Sequence, residues 1–214
     1  EGNLNNHIGV PLTLLRLRPT HQVAVIEMGM NHFGEIALLS GLVEPTIAVI
    51  TNAGPAHLEG VGSIEGVAAA KGEIFQGLRA NGVAVLNADD PFQAYWQVQS
   101  RAYRRITFGL RTTADIAGSY DAVRTSLKVT FSPSASSVTI KLPFAGEHNA
   151  QNALAAAAVG RALGIADVEI ASGLETASNI GGRLARIILS DGTKLIDDSY
   201  NANPGSVAAA IDTL

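Results

Sequence analysis

The sequence predicts an α/β protein: a mostly parallel sheet flanked by helices, with a small antiparallel sheet added. Three observations carry that expectation. Continuous β-branched runs recur, VAVIEM at residues 23–28 and TIAVIT at 46–51, as in strands buried on both faces. Helical patterns lie between such runs, the alternation that parallel strands require. The 214 residues are 47% hydrophobic and 16% charged, a globular balance.

Taken in order, the first strand runs over 23–28 and stops at Gly29, and a helical pattern follows at 35–43. The strand at 46–51 leads to a helix over 67–78, the strand GVAVL at 82–86, a helix at 91–99 and a short strand at 106–108. Residues 115–141 change character. There SLKVTF and SVTIKL alternate around the Ser/Pro-rich turn 132–137, which predicts an antiparallel hairpin forming a small second sheet in the same domain. An alanine-rich helix over 148–163 has high intrinsic propensity, with Gly164 placed to cap it, and another helix covers 166–174. After Gly181 and Gly182 the pattern returns to two strands, the second at 194–197, and a final helix.

Composition narrows the function. The absence of cysteine excludes a disulfide scaffold, a thiolate zinc site and a cysteine nucleophile. A formal net charge of −4 with 5% aromatic residues leaves no basic stacking platform, so no nucleic-acid partner is expected. The longest apolar runs, such as 153–159, fall short of the roughly 20 residues that span a bilayer, so no membrane insertion is expected; the lack of cysteine leaves the redox compartment open, with the cytoplasm as default. The sequence opens on Glu1 rather than methionine, which suggests a piece of something longer.

Ligands of open parallel sheets bind beyond the carboxyl ends of the strands, so the polar residues there come first. Glu27 ends an apolar strand, followed by Asn31, His32 and Glu35. It either reaches solvent or neutralises a bound cation. Thr51 and Asn52 follow the next strand, with His57 and Glu59 beyond, and a histidine there can be a metal ligand, a base or a plain hydrogen-bonding group. Lys71 falls inside the apolar stripe of Val67, Ala70, Ile74, Phe75 and Leu78. Its stem either snorkels to the rim, or the amine is held near an anion or chemically modified. Asn149 and Asn152 share one face of a first helical turn, where carboxamides cap backbone donors or read a base edge. Arg183, after two glycines, is a phosphate clamp or a surface charge. Asp197 and Asp198 open a dense polar turn ending at Asn203 and Pro204.

In order along the chain, GNLNNHIGVPLTLL, VAVIEMGMNHFGEIA, ITNAGPAHLEGVGS, AKGEIF, GEHNAQNALAAAA, GGRL and DDSYNANPGS resemble the Mur ligases. The closest likeness is to the branch that adds D-alanyl-D-alanine to UDP-N-acetylmuramoyl-tripeptide. DDSYNANP, and GNLNN with IGVP, favour that branch over the other Mur ligases and over folylpolyglutamate synthase.

The resemblance implies a central ATP-binding domain over residues 1–180 and the start of a C-terminal domain over 181–214. It implies that Glu27 and His57 bind magnesium and that Lys71 is carbamylated to support a metal, with Lys71 and His57 as the catalytic pair. Asn149 and Asn152 would approach the adenine of ATP, Arg183 a phosphate and Asp198 the ribose, while Asn3, Asn5 and Asn6 would lie by the UDP-sugar peptide. The implied enzyme is a bacterial cytoplasmic monomer that forms an amide bond through an acyl phosphate. The family's Gly-Lys-Thr phosphate loop is missing, because the lysines are Lys71, Lys128, Lys141 and Lys194 and none follows a glycine. The expectation is therefore an inactive fragment of such a ligase. Two other readings are a non-catalytic binding module that keeps the fold, and a metal-dependent hydrolase using Glu27, His32 and His57.

Overall fold

A parallel strand needs neighbours to satisfy its backbone and helices to cover its faces, and both are present. The computed structural model describes residues 4–55, 58–178, 185–197, 199–200 and 204–211. The chain divides into two compact units, Glu1–Leu86 with Asp90–Arg105, and Asn87–Asp89 with Ile106–Leu214.

In the first unit, strands β1 (Ile47–Ile50) and β2 (Val83–Asn87) form a parallel ladder with Ile47 opposite Val83 and Ile50 opposite Leu86. Helix α1 (Gly9–Leu14) packs on α2 (Glu35–Val43), and α3 (Leu58–Val61) packs on α4 (Ile64–Gly72). A 3-10 turn (Glu73–Gln76) continues α4, and α5 (Gln93–Gln99) follows β2. Ala48 and Ile50 from β1 meet Ala84 and Leu86 from β2, with Ala68, Phe75, Leu78 and Trp96 closing the cluster from the helices. The Trp96 indole is fully buried and satisfies its one donor on the Ala68 carbonyl at 2.9 Å.

Two expectations change in this unit. The helix expected over 67–78 begins earlier, at Ile64, because Ser63 caps it by accepting from the Gly66 amide at 3.1 Å. It tightens to 3-10 geometry after Gly72. The strand expected at 23–28 joins no ladder among the described residues, and Val25 is 90% exposed. A β-branched run becomes a buried strand only where strands lie beside it, and among the described residues β1 pairs with β2 alone.

In the second unit, β3 (Arg104–Gly109) meets β4 (Ile116–Asp121) in parallel through Phe108 opposite Ile116 and Gly109 opposite Ala117. Strands β4, β5 (Ser126–Phe131) and β6 (Ser136–Lys141) then form an antiparallel meander. The hairpin predicted at 115–141 is thus three strands that continue from β3 rather than a separate sheet. The separate small antiparallel sheet is β7 (Ala185–Ile188) with β8 (Lys194–Asp197), followed by α8 (Pro204–Ile211). Helix α6 (Glu147–Ala162) packs on β4, and α7 (Asp167–Glu175) packs on both α6 and β6. The α6–α7 approach is close: a side chain at Gly160 would start 2.8 Å from Ile170. Gly164 takes the left-handed conformation just past α6, as its expected capping role requires. The domain boundary expected between residues 180 and 181 lies outside the described residues.

Candidate functional site

Lys71 stands on α4, whose stripe of Val67, Ala68 and Ala70 is buried. Its stem is drawn toward the core, and Nζ donates to the Asn52 carbonyl, just beyond β1, at 2.6 Å. The amine therefore sits at the carboxyl end of a parallel strand, where ligands of such sheets bind. Burial pushes the Lys71 pKa below its ordinary 10.5, with the Asp90 charge opposing that shift. Asp90 was not singled out from the sequence. Its carboxylate accepts from the Ala53 amide at 2.8 Å and the Phe92 amide at 2.9 Å, so it fixes the loop that carries Asn52. The signal was available: two acids directly after β2, the same strand-end position that drew attention to Glu27.

Glu27 is exposed and accepts from Asn5 Nδ2 at 3.0 Å, while the Gly29 amide donates to the Asn5 carbonyl at 2.8 Å. Two residues expected to serve metal and substrate are thus brought together. A Cβ at Gly29 would lie 2.8 Å from Asn5 Nδ2, so a larger residue there would displace the Asn5 side chain from its place beside Glu27. Asn6 instead turns to α1, its Oδ1 accepting from the Ile8 and Gly9 amides at 3.1 and 2.9 Å. Glu35 closes a local turn on the Asn31 and His32 amides, which hold its carboxyl below the usual range. Glu73, in the AKGEIF string, accepts from the Gly34 and Ala37 amides at the start of α2, a helix-capping task that sequence reading did not assign it.

In the second unit, Asn149 Nδ2 donates to the Ala145 carbonyl at 2.7 Å, so this side chain ties a carbonyl rather than capping a helix donor. Asn152, one turn on, is exposed. The Tyr120 hydroxyl accepts from the Gly146 amide at 2.9 Å, and Arg111 pairs with Glu147. Asp197 accepts from the Ser199 amide at 3.1 Å and keeps its carboxyl below the ordinary value through Ser199. Asn3, His57, Arg183 and Asp198 lie outside the described residues. Among the described residues no three His, Cys, Asp or Glu side chains converge as a metal site, and no helix is long and apolar enough to cross a membrane.

Comparison with known proteins gives the arrangement a context. Residues 1–160 match the Mur ligase middle domain. The chain is 45% identical over its whole length to the UDP-N-acetylmuramoyl-tripeptide--D-alanyl-D-alanine ligase of Escherichia coli, 48% of which it covers. It superposes over its whole length on MurF from Acinetobacter baumannii with a TM-score of 0.93 and 41% identity, covering 47% of that chain. MurF ligase from Thermotoga maritima, solved in complex with ADP, gives 0.83 and 29% over the whole of this chain and 49% of its own. The chain thus spans about half the length of the relatives it matches.

Proposed function

The chain belongs to the Mur ligase family, and from that premise we propose that it forms the ATP- and magnesium-binding part of a bacterial cytoplasmic ligase joining D-alanyl-D-alanine to UDP-N-acetylmuramoyl-tripeptide. The reaction runs in two displacements. The tripeptide's terminal carboxylate attacks the γ-phosphorus of ATP and ADP leaves; the dipeptide amine then attacks the acyl phosphate, loses a proton and expels phosphate. Residues 1–180 are assigned to the central domain and 181–214 to the start of the next.

One observation carries the reading: the Lys71 amine is drawn off solvent to the end of β1, with its pKa lowered by burial. A solvated ammonium does not react with carbon dioxide, whereas a neutral amine does. Its lone pair bonds the carbon, a proton leaves the nitrogen, and a carbamate anion replaces the cation. The donor set fits magnesium on that chemistry, since Glu27 and a Lys71 carbamate offer the oxygens a hard cation prefers, with His57 as the third ligand. Magnesium would supply charge neutralisation at the transferring phosphoryl group. The protein's own work is placement. The Asn52 carbonyl receives the Lys71 N–H, Asp90 fixes the loop that carries Asn52, Asn5 orients Glu27, and Asn149 and Asn152 would present amides to the adenine edge. Arg183 serves a phosphate, Asp198 the ribose, and Asn3, Asn5 and Asn6 the UDP-sugar peptide.

The test uses carbon-13 bicarbonate. A carbamate carbon resonance that disappears in Lys71→Met, together with ATP-dependent ligation by the complete protein that carries this sequence, is the expected result. A ligase that is fully active as Lys71→Met overturns the carbamate assignment.

A further inference from the structure

Asp89 holds more partners than an acid at a strand end needs. Its amide donates to Asn87 Oδ1 at 2.9 Å. Its carboxylate accepts from the Leu110 amide at 2.6 Å, the Thr112 amide at 2.8 Å and the Arg111 amide at 3.1 Å. The segment after β3 is therefore wound around one carboxylate, and so closely that a Cβ at Gly109 would sit 2.9 Å from Asp89 Oδ1. From that segment the Arg111 guanidinium reaches the carboxylate of Glu147, first residue of α6 and two positions before Asn149. The start of α6 has two further ties, Gly146 to Tyr120 and Asn149 to Ala145.

Stability does not account for the Arg111–Glu147 pair. Its side chains are 68% and 49% exposed, and exposed ion pairs contribute little to folding. Orientation does account for it, because a guanidinium whose own backbone is pinned can set the entry of a helix. We infer that Asp89 is a positioning residue for nucleotide recognition: it pins residues 110–112 so that Arg111 fixes the start of α6, whose first turn carries Asn149 and whose second carries Asn152. The inference rests on the adenine role proposed for those two asparagines. Asp89 also sits below the ordinary carboxylate range; burial pushes it up, and the three backbone amides outweigh that. It is thus held as an anion able to accept all three.

The test is made on the complete protein carrying this sequence, with Asp89→Asn and Arg111→Gln singly and together. Each single variant is expected to raise the KM for ATP about tenfold, the scale of a small misplacement of binding groups, with kcat and the KM values of both peptide substrates nearly unchanged. The preference for ATP over GTP should fall in parallel, and the double variant should be no worse than the worse single one. Arg111→Gln changes an exposed side chain, so it reports even where Asp89→Asn folds poorly. Unchanged ATP KM and ATP/GTP ratio in Arg111→Gln, or equal losses for all three substrates, would overturn the inference. Absence of ATP-dependent ligation by the unmodified protein would overturn the functional reading itself, and this inference with it.

Discussion

At the scale of the residue, Lys71 and Asp89 show how the same physics serves opposite charges. Burial weakens proton binding to Lys71, so between its lowered value and the ordinary 10.5 the unfolded chain holds a proton that the folded chain has released. Stability should therefore rise with pH across that window, and Lys71→Met should flatten the rise in urea titrations at stepped alkaline pH. Carbamate formation, followed by carbon-13 NMR, should increase in the same direction. Lys71→Met should also cost on the order of 100-fold in ligation while leaving circular dichroism unchanged, as expected for loss of a group that supports a metal. Asp89 moves stability in the same direction for a different reason, since backbone amides working against burial lower its carboxyl. Its carboxyl lies below 3.8, so its contribution is present above that value and lost as pH falls through the lowered one. Acid unfolding monitored by fluorescence should be less steep in Asp89→Asn.

At the scale of the element, α4 matters most because it carries Lys71. Ser63→Ala removes the acceptor for the Gly66 amide and should cost about 1 kcal/mol in denaturant unfolding. Trp96→Ala empties the site against Ala68 and should cost about 3–5 kcal/mol by the same measurement. What the sequence made readable at this scale follows from range. The helix expected at 35–43 is α2 residue for residue, since a 3.6-residue pattern is local. The strands at β1, β2 and β8 were equally plain. Residues 23–28 and the first strand of the meander, β4, were not, because pairing is decided by chain far away in sequence. The site divides in the same way. Lys71 betrayed itself by breaking an apolar stripe, and Asp89 and Asp90 could be suspected from their place after β2, but the distant backbone amides that they and Glu73 hold are announced by no spacing.

At the scale of the whole molecule, family membership and local geometry support each other, yet the chain matches only about half the length of its relatives. The sequence has no lysine after a glycine, and hence no Gly-Lys-Thr phosphate loop. These 214 residues by themselves should form no amide product from ATP, the tripeptide precursor and D-alanyl-D-alanine, as chromatography of the mixture would check. The exposed apolar stretch at 23–28 bears on handling the chain at all. With Val23 58% and Val25 90% exposed beside unladdered backbone, it offers strangers a sticky template. Sedimentation velocity should show mass rising with concentration, and a charged residue in place of Val25 should restore a single slow boundary, turning a colloidal nuisance into a controllable property of the preparation.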